Sequence, residues 1–107
     1  MSVAVASDTF AAEVLEAQEP VLVDFWATWC APCRALAPTV EELGRRFEGR
    51  LKVVKVDVDG APDLASRYGV QSIPTVVLFQ GGGEVARLVG ARPLAAYEVE
   101  VKRLLGE

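Results

Sequence analysis

Apolar positions change their period along the chain, and each change marks an element. Val21 to Ala27 is apolar everywhere except Asp24, the pattern of a strand buried on both faces. Beyond it, Cys33, Leu36, Val40, Leu43 and Phe47 recur at intervals of three and four, one face of a helix ending near Gly49. Pro38 lies inside that helix, deletes one backbone hydrogen bond and is expected to bend it. From Leu51 to Val58 the period becomes two: Leu51, Val53, Lys55 and Asp57 face one way, Lys52, Val54, Val56 and Val58 the other.

The remaining elements are shorter. Val3 and Val5 read as a first strand, and Phe10, Val14 and Leu15 as the face of a helix capped by Ser7 or Asp8. Pro62 opens a short helix with Leu64 and Tyr68 on one side and Gly69 placed to end it. Thr75 to Phe79 and Val85 to Val89 are strands joined by Gly81–Gly82–Gly83, a turn needing positive φ. Pro93 opens a last helix, with Leu94, Tyr97, Val101 and Leu104 along its buried side. The order is β-α-β-α-β-α-β-β-α. Early alternation gives parallel pairing and the final hairpin adds antiparallel strands, so the fold class is α/β, a mixed sheet with helices on both faces.

The 107 residues are expected to form one domain, 1–107, with no internal repeat or linker. Hydrophobic residues are 51% of the chain, enough for an ordinary core without crosslinks. The net charge of −4 argues against nonspecific nucleic-acid binding. No stretch approaches the roughly 20 apolar residues of a membrane span, and Met1 to Pro20 carries no export signal, so a cytoplasmic location is expected. Histidine is absent, which removes the usual general base and the commonest metal ligand.

Both cysteines of the chain, Cys30 and Cys33, fall where the buried strand gives way to the helix. Thiol–disulfide exchange needs one thiolate to attack and a second thiol to finish. Cys30 lies at the helix start, where free N–H groups and the helix dipole favour an anion. Cys33 is on the same helical side, within reach of a disulfide, and deeper. Cys30 then attacks a substrate disulfide, and Cys33 displaces the mixed disulfide. Neither Ala31 nor Pro32 brings a charge to stabilise the thiolate, which favours a reductant over an oxidant. Two duller readings compete. Half of a zinc site would need two more Cys or His ligands, which this chain lacks. Alternatively, both cysteines are small buried hydrophobes.

Asp24 shares its side of the strand with Leu22 and Trp26, so its carboxyl is expected to be dry and its pKa raised. It could then exchange a proton with Cys33. The alternative is a wet strand end or a salt bridge, with Lys55 as the candidate partner. Pro74 by itself reads as a loop proline, Trp29 and Ile73 as core, and Gly90 as a turn glycine.

Taken together, Val21–Ala27, Trp29–Cys30–Ala31–Pro32–Cys33–Arg34, Pro38, Lys55–Val56–Asp57, Ile73–Pro74–Thr75 and Val89–Gly90–Ala91 resemble the thioredoxin family over essentially the whole chain. The resemblance implies a thioredoxin fold, with a central sheet of about five strands and four helices. It makes Cys30 the nucleophile and Cys33 the resolving thiol, places Asp24 behind Cys33 with Lys55 nearby, and makes Pro74 cis. It implies a docking face of Trp29, Ala31, Pro32, Ile73, Pro74 and Gly90, with backbone contacts from Ile73 and Ala91. The implied activity is protein-disulfide reduction in cell redox homeostasis, by a monomer needing no bound cofactor. An NADPH-dependent flavoprotein, thioredoxin reductase, would re-reduce it, and its clients would be disulfide-containing proteins such as reductases and peroxidases. Ala31 departs from the Gly-Pro that most members carry between the cysteines. A disulfide oxidant or isomerase is the rival enzyme reading; a binding module that uses its thiols little is the non-enzyme one.

Overall fold

The computed structural model describes residues 2–107. Five strands form one sheet: β1 (Ser2–Ala4), β2 (Val21–Trp26), β3 (Lys52–Asp57), β4 (Thr75–Gln80) and β5 (Gly83–Val89). Four helical segments accompany them: α1 (Ala11–Leu15), α2 (Ala31–Arg46), α3 (Pro62–Arg67) and α4 (Leu94–Leu105). The spatial order is β1-β3-β2-β4-β5. The pairs β1–β3 and β3–β2 are parallel, and β2–β4 and β4–β5 antiparallel. This is the mixed sheet expected from the element order, with the five strands and four helices that the family resemblance implies.

Because side chains alternate across a strand, β2 divides its residues between two cores. Val21, Val23 and Phe25 join Phe10, Val14, Val54, Val56, Leu64, Val77 and Phe79 on the face covered by α1 and α3. Leu22 joins Leu36, Val40, Leu43, Val53, Val76, Leu78, Tyr97 and Val101 under α2 and α4. Asp24, two residues from Leu22, therefore points to the α2–α4 side. It sits opposite Lys55 on β3 and Val76 on β4.

Several local expectations differ from what forms. The first helix is a five-residue π-helical segment with no side-chain cap. The Ser7 hydroxyl instead donates to Asp63 on α3, at 2.5 Å, so it is spent on tertiary contact. Val5 lies just past β1, although its N–H still donates to the Lys55 carbonyl at 2.9 Å. Gly83 belongs to β5; of these three glycines Gly81 and Gly82 alone take positive φ, of 61° and 83°. At Gly82 a Cβ would stand 3.0 Å from the Leu15 carbonyl oxygen, so the hairpin turn packs on the end of α1. α2 continues through Pro38 without interruption. Gly69, with φ of 62°, ends α3 as expected.

Candidate active site

Cys30 is the N-cap residue of α2, in extended conformation (φ −89°, ψ 108°), and Cys33 lies in the first turn. Pro32 fits here because the N–H it lacks would have no partner inside the helix. The two cysteines are bonded as a disulfide, with Cα atoms 5.2 Å apart. The Cys33 N–H points at Cys30 Sγ, 3.2 Å away. In the dithiol state the same N–H, with the helix end behind it, would hold a Cys30 thiolate. Among the described residues no cation is hydrogen-bonded to this sulfur; Arg34 turns back to the Thr28 carbonyl at 2.7 Å. Cys33 was expected to be the deeper of the two. Both are buried in the disulfide form, at 4% exposure for Cys30 and 2% for Cys33.

Asp24 is 1% exposed, and neither carboxylate oxygen has a hydrogen-bond partner among the described residues. Removing the charged form from water raises its pKa to about 6, and the positive charge of Lys55 pulls the other way. Lys55 is near, as expected, but the two form no salt bridge. Its ammonium lies over the Trp26 ring, 4.4 Å from the centroid, a favourable cation–ring contact for a half-buried lysine on an interior strand. Asp24 is thus a carboxyl that is mostly ionised at neutral pH and takes up a proton about two pH units more readily than an exposed aspartate.

Of the other residues of the predicted face, Ile73 packs against the disulfide, and Pro74 is buried rather than exposed. The Ile73–Pro74 peptide bond is cis. The Ile73 carbonyl oxygen is 3.9 Å from Cys30 Sγ. The Thr75 hydroxyl, which sequence reasoning passed over, donates to the Ser72 carbonyl at 2.6 Å and braces this loop. The Gly90 N–H donates to the Pro74 carbonyl at 2.8 Å, joining the end of β5 to the same loop. Ala31 and Pro32 are exposed at the helix start, and so is Ala91 beside Gly90. Trp29 is 66% exposed, far from the core position its type would suggest. Its indole N–H donates to Asp59 at 2.8 Å, another partner not foreseen. Trp29 and Ile73 line a cleft of about 280 Å³ with Val58, Val70, Gln71 and Ser72.

A Cys-x-x-Cys pair at a helix N-terminus, with the cis Ile73–Pro74 peptide against Cys30, defines a dithiol–disulfide exchange protein. The thioredoxin family model matches residues 1–103. Thioredoxin 1 of Nostoc sp. is 54% identical over 89 residues, 83% of each chain. The chloroplastic M-type thioredoxin of Chlamydomonas reinhardtii is 47% identical over 102 residues, 95% of this chain and 73% of the relative. A bifunctional thioredoxin reductase/thioredoxin of Mycobacterium leprae is 49% identical over 96 residues, 90% of this chain and 21% of the relative. The chain belongs to the thioredoxin family. Its activity is that of a thiol–disulfide oxidoreductase reducing protein disulfides, in keeping with the family's part in redox homeostasis.

Proposed function

We propose that the two cysteines divide the reaction between them. The reduced protein presents a Cys30 thiolate. It attacks one sulfur of a client disulfide, that S–S bond breaks, and the departing client sulfur is protonated. A mixed disulfide joins Cys30 to the client. Cys33 then loses its proton to the Asp24 carboxylate and attacks Cys30 Sγ. The second client thiolate leaves, and the protein is in the disulfide form described above. Two electrons pass from the cysteine pair to the client; the first client sulfur takes its proton from solvent, and the second takes the Cys33 proton back from Asp24.

The observation that carries this assignment is the Cys33 N–H aimed at Cys30 Sγ at 3.2 Å, on the N-cap of a 16-residue helix. It favours the anion on Cys30 and gives Cys33 no equivalent donor. Clients dock on the face of Trp29, Ala31, Pro32, Ile73 and Gly90, with the buried Pro74 beneath it. The Ile73 carbonyl and the free backbone of Ala91 pair with the client chain. Lys55 tunes the Asp24 proton affinity through its charge. The protein acts as a monomeric, single-domain electron carrier in the cytoplasm. No helix among its described residues is long and apolar enough to cross a membrane. A thioredoxin reductase drawing on NADPH returns it to the dithiol; in the Mycobacterium leprae relative the printed name joins the two activities in one protein. Its clients are disulfide-containing proteins such as reductases and peroxidases.

Paired variants test the division of roles. Cys33→Ser, incubated with lysate proteins, should accumulate mixed disulfides that release on dithiothreitol, and Cys30→Ser should accumulate none. Adducts through Cys33 in the Cys30→Ser protein, or none through Cys30, would reverse the assignment.

A further inference from the structure

Tyr97 has a task that the apolar stripe of α4 does not require. Leu94, Val101 and Leu104 fill their positions on that helix with hydrocarbon alone, whereas Tyr97 brings a hydroxyl into the core at 1% exposure. A buried tyrosine needs a partner for its O–H. Here both halves of the hydroxyl are used on one loop. It donates to the Gly90 carbonyl at 3.2 Å and accepts the Arg92 N–H at 3.1 Å. Gly90 takes φ of 85°, and its own N–H donates to the Pro74 carbonyl at 2.8 Å. A continuous chain of hydrogen bonds therefore runs from α4 through the loop after β5 to the proline beside the disulfide.

Between the two bonded residues lies Ala91. Its N–H and carbonyl have no intramolecular partner among the described residues, and the residue is exposed. Residues on both sides of it are held from beneath, so its backbone is presented outward in a fixed orientation. Burial raises the Tyr97 pKa above the ordinary tyrosine value, outweighing the Arg92 N–H, so the O–H stays protonated wherever thiol exchange is measured.

We infer that Tyr97 is a positioning residue for client docking: its hydroxyl fixes Gly90 and Arg92 so that the Ala91 backbone can pair with a client chain beside Cys30. The inference rests on the docking face proposed above. It separates two kinds of substrate. A protein disulfide brings an extended backbone and uses Ala91; a small aromatic disulfide brings none and needs only Cys30.

Tyr97→Phe keeps the ring and deletes the hydroxyl. Second-order rate constants for the pre-reduced variant are measured with insulin and with 5,5′-dithiobis(2-nitrobenzoate). Amide hydrogen exchange is followed at Gly90 and Arg92. The expected result is a roughly three- to tenfold loss with insulin, the size of one or two missing hydrogen bonds. The rate with the small disulfide is unchanged, and Arg92 exchanges faster. Faster exchange with an unchanged insulin rate would overturn the inference by showing that the loop does not dock clients. Unchanged exchange and unchanged rates would overturn it by showing that Tyr97 does not hold the loop, with the docking face untouched. Equal losses on both substrates would mark a general disturbance and would also overturn it.

Discussion

Replacing Asp24 by asparagine keeps the side chain's shape and removes its charge. In the fold the carboxyl has a pKa of about 6, against 3.8 for an ordinary aspartate, because burial disfavours the anion. At about 1.4 kcal/mol per pH unit, that gap amounts to about 3 kcal/mol of stability. The sign follows from which state holds the proton. Below pH 3.8 folded and unfolded chains are both protonated, and the full stability is present. Between 3.8 and about 6 the unfolded chain gives up the proton while the fold retains it, so stability falls as pH rises. Above 6 the loss is complete. Asparagine has no such step. The stability of Asp24→Asn minus that of the natural chain should therefore climb by about 3 kcal/mol between pH 3 and pH 8.

Its starting value includes the unpaired amide and does not vary with pH. The pH curve of the natural chain alone would not isolate this effect. Glu41, Glu42, Asp63 and Glu84 are held below the usual carboxylate range, chiefly by hydrogen bonds from Ser2, Arg46, Ser7 and Arg87. Their contribution is lost as pH falls, the opposite sense, and it cancels in the difference because both proteins carry it. The assay is guanidinium unfolding of both proteins, disulfide intact, in steps from pH 3 to pH 8. A difference that stays flat across the range would refute the buried-carboxylate reasoning.

The remaining predictions concern rate and packing. With Asp24 as the base for Cys33, turnover should decline as pH falls through about 6, a limb visible in stopped-flow reduction of a protein disulfide. Asp24→Asn should lose that limb and run roughly tenfold slower or more at neutral pH; a limb that survives in the variant would assign the proton elsewhere. Phe10→Ala should cost about 3–5 kcal/mol by guanidinium unfolding, because the ring is buried against Tyr68 and Phe79 at centroid distances of 5.5 and 5.8 Å. A loss below about 1 kcal/mol would mean that α1 does not seal that face of the sheet.

Much of the architecture was legible because periodicity reports burial. The all-apolar run of β2 and the three-four spacing of α2 and α4 each follow from one sequence window. The cysteine pair at the strand–helix junction is just as local, and so was the dry environment of Asp24, whose neighbours on the strand face are Leu22 and Trp26. What escaped depends on contacts between distant segments. The Lys55 ammonium chose the Trp26 ring because strand register sets β2 and β3 side by side, and no window contains both. Trp29 reads as core by type, yet just before α2 it turns outward to Asp59, in the turn that follows β3. Tyr97 reads as one more apolar position of α4; only the place of the Gly90 loop gives its hydroxyl a purpose. Ser7 looked like a helix cap, and α3 claimed its hydroxyl instead. The docking face came from the family resemblance rather than from any property of its residues taken singly.

The direction of electron flow is open to a single measurement. The purified protein is equilibrated with graded ratios of reduced and oxidised glutathione, and the fraction of Cys30–Cys33 disulfide is read after acid quenching. In the dithiol the Cys30 thiolate would be supported by one N–H and the end of α2, and among the described residues no cation is hydrogen-bonded to this sulfur. Such a weakly stabilised thiolate makes the dithiol a strong donor. The midpoint should lie below that of the glutathione couple, about −240 mV. A midpoint at or above the couple's value would contradict a reductant and identify an oxidant or isomerase.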